Sequence, residues 1–349
     1  MNRPEQIREF ILDNVESHPR DIAVLTAQKF GVTPPSAHWH INKLIRDGKL
    51  GKAGRTQAIQ YFLANKKNAL FEYQIGPSTS EEDAWNAQVK PLLLHLPTNV
   101  INICQYGFTE MFNNAIDHSE GKRIRGSVML KNGKIELVVR DDGVGIFHKI
   151  QHTFQLTSTR EAILHLTKGK ITTDPKRHSG EGIFFTSRIF DEFTIVSGDM
   201  AFVCFDEDDW MMSRAETAME KGTKIIMKLP INSKRSTREI FDRYTAANDQ
   251  VTFSKTAVSV ELSKNDDESH ISRSQAKRIL AGLEKFKEIV LDFRNVHTVG
   301  QGFVDEVFRV FQNEHPDIRI IPVDMNPDVE FMIKRSVEGI SPTQQKLDL

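Results

Sequence analysis

The chain has 349 residues and a mass of 39.8 kDa, room for two to three domains of the usual ~100–200 residues. With 39% hydrophobic and 27% charged residues it reads as a folded globular protein and not a disordered one, and no apolar run approaches the ~18 residues of a membrane-spanning helix. The net charge of −1 excludes a globally basic nucleic-acid binder but leaves room for one basic domain among neutral ones.

The chain opens MNRPEQIREF, with Glu5 and Glu9 where a secretory signal needs an apolar core. Ile7, Phe10, Ile11 and Val15 recur at helical spacing, and Ile22, Leu25, Thr26 and Phe30 predict a second helix closed by Gly31. A third helix follows Thr33. Ala37, Ile41, Leu44 and Ile45 line one face of it, and Ser36, His38, Trp39, His40 and Lys43 the other. Gly48 stops this helix, and KLGKAGRTQAIQYFLA predicts two short strands around the Lys52–Gly54–Arg55 turn. Three helices and a hairpin over residues 1–65 resemble the winged helix-turn-helix plan. The resemblance implies that Ser36, His38, Trp39 and Lys43 face a DNA major groove while Lys52 and Arg55 touch phosphates. Nine Lys+Arg against six Asp+Glu in this segment are compatible with double-stranded DNA, with a protein-docking module as the alternative.

Residues 66–83 mix charges with Gly, Pro and Ser and read as a linker. Trp85, Val89, Leu92, Leu93 and Leu96 predict a helix that breaks at Pro97, and an amphipathic stretch runs from Asn99 to His118. Strands follow at 124–131 and 134–140 around the hairpin signal Asn132-Gly133. Residues 147–179 are polar, with a short helix near 159–166. A helix at 181–190 then leads to strands near 193–197, 201–206 and 223–229. In a third block, 247–340, strands and helices alternate. VTFSKTAVSVEL, a helix near 272–287, the strand Ile289–Phe293, a helix over Phe303–Gln312, the strand Ile318–Val323 and a helix at 327–335 predict an α/β layer.

The middle block carries the chemistry. Glu110, Asn114 and His118 fall at i, i+4 and i+8 and so share one helix face. Asp141-Asp142-Gly143-Val144-Gly145 follows the hairpin, Ser179-Gly180-Glu181-Gly182-Ile183 opens another helix, and Gly222-Thr223 begins a strand. No GxxxxGK[ST] occurs, because every Gly-Lys pair is followed by Leu, Ala, Arg or Ile, and this excludes the phosphate-loop class.

In that order the four pieces resemble the nucleotide-binding domain shared by gyrase, heat-shock chaperones, histidine kinases and MutL (the GHKL, or Bergerat, fold). The resemblance implies a GHKL α/β sandwich over 84–232, a mixed, mostly antiparallel sheet with helices on one face, binding ATP with Mg²⁺. Asn114 would ligate the metal through its amide oxygen, and Glu110 would accept a proton from an attacking water. Asp141 resembles the adenine reader of the family, with Thr223 bonded near it. Gly143 and Gly145 let the backbone pass the nucleotide, and Gly180 and Gly182 expose N–H groups to phosphates at a helix start. The stretch 147–179 matches the family's mobile lid, in which Lys168, Lys170, Lys176 and Arg177 are available to supply positive charge. Two residues depart from the pattern. Asp142 stands where many relatives carry Asn, adding negative charge near the metal, and Phe184 and Phe185 stand where histidine kinases favour leucines. A winged helix upstream, in place of a phospho-acceptor helix pair, argues against histidine kinase activity.

Residues 289–311, IVLDFRNVHTVGQGFVDEVFRVF, resemble the strand–loop–helix of STAS domains. With YGFTEMFNNAIDHS, the chain looks like bacterial proteins that join a GHKL domain to a STAS-like domain of unknown function. Gln301 falls near the phosphorylatable Ser of anti-sigma antagonists, so that switch does not transfer, and Thr298 is the substitute candidate. The expected architecture is multidomain α+β and α/β: winged helix, GHKL sandwich, then a STAS-like α/β domain over 247–340. Cys104 and Cys204 are too far apart in sequence and too few for a disulfide scaffold or a structural zinc, which suits a cytoplasmic protein. Two functions are expected. One is an ATP-responsive transcriptional regulator that binds DNA or, through the STAS-like domain, a protein partner, compatible with a homodimer. The other is a slow ATPase or a Ser/Thr protein kinase of the anti-sigma type.

Overall fold

In the computed structural model, residues 3–15, 17–53, 59–63, 68–171, 180–206, 209–245, 253–263 and 271–338 are described. The N-terminal unit is α1 (Arg3–Asn14), α2 (Ile22–Phe30), α3 (Pro34–Arg46) and an antiparallel pair, β1 (Leu50–Ala53) and β2 (Gln60–Leu63). Its turns follow from local chemistry. Gly31, at φ +60°, ends α2 by returning its N–H to the Ala27 carbonyl, and the Thr33 hydroxyl accepts from Ser36 N ahead of Pro34. Ile7, Ile11, Ile22, Ala37, Ile41 and Leu44 form a core separate from the rest of the protein.

The second unit is a seven-stranded sheet in the order β3-β4-β5-β9-β6-β7-β8. Its strands are β3 (Asn68–Gln74), β4 (Arg123–Lys131), β5 (Lys134–Asp141), β6 (Glu192–Ser197), β7 (Met200–Phe205), β8 (Asp209–Arg214) and β9 (Thr223–Pro230). Every neighbouring pair is antiparallel, so the mixed sheet expected from the sequence is corrected to an antiparallel one. β3 lies inside the segment read as a linker. Its alternation is genuine, with Ala69 and Phe71 buried and Leu70 84% exposed, but an edge strand leaves one face to water and its charged flanks mask the pattern. The strand β8 was not anticipated either.

Helices cover the sheet. α4 (Glu81–Ala84) runs through a π turn at Trp85–Val89 into α5 (Lys90–Leu93). α6 (Thr98–His118) presses Ile103, Cys104, Phe108, Met111 and Phe112 onto the strands, and Gly107 lets it approach so closely that a Cβ there would overlap the Phe190 ring. α7 (Ile146–Thr153), α8 (Thr159–Lys168) and α9 (Gly182–Ile189) follow. The expected mobile lid is therefore largely two helices that bury Phe147, Ile150, Ile163 and Leu164; Lys176 and Arg177 lie outside the described residues.

The third unit follows α10 (Thr237–Arg243). It holds a parallel sheet, β10 (Lys255–Ser259), β11 (Glu288–Asp292) and β12 (Arg319–Val323). Around it pack α11 (Arg273–Leu280), α12 (Gln301–Asp305) continued by a π turn at Glu306–Phe311, α13 (Gln312–Glu314) and α14 (Pro327–Glu338). α11 stops earlier than expected because Gly282 turns at φ +82°. The second and third units share one contiguous apolar core. No helix among the described residues is long and apolar enough to cross a membrane.

Gly107 gives the first prediction. A helix-interior Gly→Ala change ordinarily gains ~0.5–1 kcal/mol. Gly107→Ala instead loses about 1–3 kcal/mol through overpacking against buried Phe190, read as a lower urea midpoint at unchanged slope.

Candidate functional site

The residues singled out in the middle block converge from four places in the chain. Glu110, Asn114 and His118 on α6, Asp141 at the end of β5, Gly145, Gly180 and Gly182, and Thr223 at the start of β9 all line one cleft. Met111, Val139, Ile150, Leu166 and Ile225 supply its apolar wall, a mix of apolar lining and a few convergent polar groups that suits a small ligand.

Asp141 is 7% exposed, and its Oδ1 accepts from Gly143 N (2.9 Å) and Thr223 N (3.2 Å). Burial raises the carboxyl above its ordinary value and those N–H groups pull it back down. The Thr223 hydroxyl accepts from Ile146 N (2.9 Å) and so pins the start of α7 to the same strand. Gly145 and Gly222 take φ +86° and +82°, a region closed to most side chains, and a Cβ on Gly222 would strike the Asp141 carbonyl. On the opposite wall, a Cβ on Gly182 would run into the Glu110 carboxylate, so the base of α9 and Glu110 are in direct contact.

Some predicted residues lie elsewhere. Gly143 does not line the cleft; its missing side chain makes room for the Ser119 carbonyl, which accepts from Val144 N (2.9 Å). Asp142 adds no charge to the cleft. It turns away to accept from Arg123 N, Lys122 N and Arg123 Nε, which hold its carboxyl down to about 2. Lys168 and Lys170 are not at the cleft either: both reach into the third unit. Lys149 was missed. It lines the cleft with Nζ donating to the His118 carbonyl and the Glu120 carboxylate, both at 2.8 Å, and its position one turn after Gly145 is the signal that could have found it. Among the described residues no group of three or more His, Cys, Asp or Glu could hold a metal. A cation here would rely on the Asn114 oxygen and on oxygens that a ligand brings.

On α3, His38 and Trp39 (52% exposed) stand opposite the core residues, with Ser36 and Lys43 half-buried and the Lys43 ammonium 5.8 Å from the Trp39 ring centre. His40 is corrected: it is buried, and desolvation lowers its pKa. Lys52 is exposed on β1, and Arg55 lies outside the described residues. Thr298 and Gln301 are exposed at the head of α12.

Two family models match the chain. Residues 86–204 match a histidine kinase-like ATPase domain, and residues 275–330 match a STAS-like domain of unknown function (DUF4325). Among curated proteins none matches. The middle unit is thus a histidine kinase-like ATPase domain of GHKL type and the third is a STAS-like domain; the winged-helix plan of the first unit is supported by neither match.

The raised pKa of Asp141 fixes the sign of a pH effect. A carboxyl whose folded value exceeds its unfolded one costs stability once it ionises, and the cost fades as pH falls through the folded value. Asp141→Asn, able to accept the same two N–H groups, raises the unfolding temperature at pH 7, and the gain shrinks as pH falls toward 4. Equal shifts at both pH values would contradict it.

Proposed function

We propose that the protein is an ATP-binding regulator whose cleft takes an adenine nucleotide with Mg²⁺. The observation that carries this reading is the convergence of Glu110, Asn114, Asp141, Gly145, Gly180, Gly182 and Thr223 on one cleft within a histidine kinase-like ATPase domain. Asp141 would accept the exocyclic amino hydrogen of adenine. A guanine carbonyl there would leave the buried carboxylate facing an acceptor, which disfavours GTP. Asn114 would hold the metal, whose chemistry is to offset phosphate charge. The N–H groups at the start of α9 suit phosphate oxygens. The exposed His38 and Trp39 of α3, with half-buried Lys43 beside them, support double-stranded DNA as the partner of the first unit, and the STAS-like domain is assigned a protein partner.

Glu110 supports a second reading, a slow ATPase or a Ser/Thr protein kinase. Binding alone does not need a base, and this carboxylate stands on the cleft wall beside the start of α9.

Calorimetric titration with ADP and ATP tests the first reading: the parent protein binds both, and Asp141→Asn binds at least about tenfold more weakly. No heat from the folded parent would end the proposal. Glu110→Ala keeps ADP affinity and loses phosphate release by about 100-fold or more; release at the parent rate would end the enzyme reading. With a random-sequence duplex, Lys43→Ala and Lys52→Ala each reduce the logarithmic salt slope of binding by about one. No duplex affinity at low salt, with or without nucleotide, would remove DNA as a partner.

A further inference from the structure

Two segments that line the cleft continue into the STAS-like domain. α8 gives Leu166 to the cleft wall and, two residues later, buries Lys168 to 2% exposure. Lys168 Nζ donates to the carbonyls of Arg278 (2.7 Å) and Ala281 (2.9 Å), at the C-terminal end of α11. Carbonyls at a helix end lack intrahelical partners, and the dipole there favours a cation. The Lys168 carbonyl in turn accepts from the buried hydroxyl of Thr256 on β10 (2.7 Å). Gly169 follows at φ +77°, where a Cβ would come within 2.8 Å of both the Phe184 and Phe253 rings. Lys170 Nζ donates to the Lys285 carbonyl (3.1 Å) and lies over the rings of Phe253 and Phe286. Ile171 is back on the cleft wall. Residues 166–171 therefore leave the cleft, enter the STAS-like domain and return.

α9 follows the same path. Gly182 is at the cleft, and Phe184 and Phe185 pack on Phe253 at 4.5 and 4.9 Å between ring centres. Burying an ammonium is costly unless it is hydrogen-bonded. Burial holds Lys168 down to about 7, with Glu161 and Glu284 pulling it back up. A methionine or leucine would fill the same space without that cost, but would not hold the Arg278 and Ala281 carbonyls.

We propose that the Lys168 seat on α11 couples occupancy of the cleft to the STAS-like domain, so that a ligand in the cleft tightens α11 and, reciprocally, whatever binds the STAS-like domain alters affinity at the cleft. This rests on the nucleotide reading of the cleft. The reciprocity is required by linkage once the two sites share one element with two arrangements.

Amide hydrogen exchange over residues 273–281 of the full chain, with and without ADP and Mg²⁺, tests the coupling in the parent, Lys168→Met and Thr256→Val. In the parent, ADP slows exchange across this helix about fivefold or more. Lys168→Met loses that response and changes ADP affinity, and the volume-preserving Thr256→Val diminishes it. A variant that merely loses stability, while ADP still slows exchange by the parent factor, would overturn the inference, as would ADP binding by the parent with exchange at 273–281 unchanged. Should Lys168→Met not fold, Thr256→Val decides alone: a parental response overturns the coupling and a diminished one upholds it. No ADP binding by the parent removes the nucleotide reading, and with it the inference.

Discussion

A carboxylate placed at the end of a buried strand must find hydrogen-bond donors or it will not ionise there. Asp141 finds them in the backbone, one in its own turn and one at Thr223, 82 residues later. That requirement joins the end of β5 to the start of β9, which are adjacent strands already paired along their length. The Thr223 hydroxyl extends the same lock to Ile146 and so fixes where α7 begins. The carboxylate at the floor of the cleft is thus held by two main-chain N–H groups.

The other wall is built differently. α6 reaches the sheet through a continuous apolar face, and its polar stripe meets the cleft with Met111 and Ala115 beside it. α8 and α9 belong to the cleft at one end and to the junction with the STAS-like domain at the other. Phe184 and Phe185, which look like departures from a kinase pattern, are explained by that junction, where they join Tyr244, Phe253 and Phe286. The ATPase domain and the STAS-like domain share one core, whereas the N-terminal unit keeps its own.

Much of this was legible in the sequence because the signals are local. Gly31 marks the end of α2 and Thr33 the start of α3, Asn132-Gly133 turns β4 into β5, and the i, i+4, i+8 spacing on α6 sets its polar stripe apart from its core face. In the segment read as a lid, Lys168 and Lys170 do not reach the cleft, for a physical reason. α8 is polar in composition, yet its polar residues include Thr167, buried with its hydroxyl on the Leu164 carbonyl, and Lys168, buried against another domain. Polarity indicates exposure only when no partner surface takes up the donors. His40 also misled, a polar residue on an apparently exposed face that packs inward.

The order of residue types along the chain determined which groups could do chemistry: an Asp after a strand, an Asn and a Glu on one helix face, glycines where backbones must pass closely. Those follow from steric and hydrogen-bonding rules acting over a few residues. Only the tertiary structure decided that Gly143 supports a helix end and not the cleft, that Asp142 turns away to Arg123, and that Lys168 belongs to α11. Each of those outcomes depends on a partner 19 to 113 residues away in the chain or on a backbone packed from another element, and such neighbours are set by how whole elements pack.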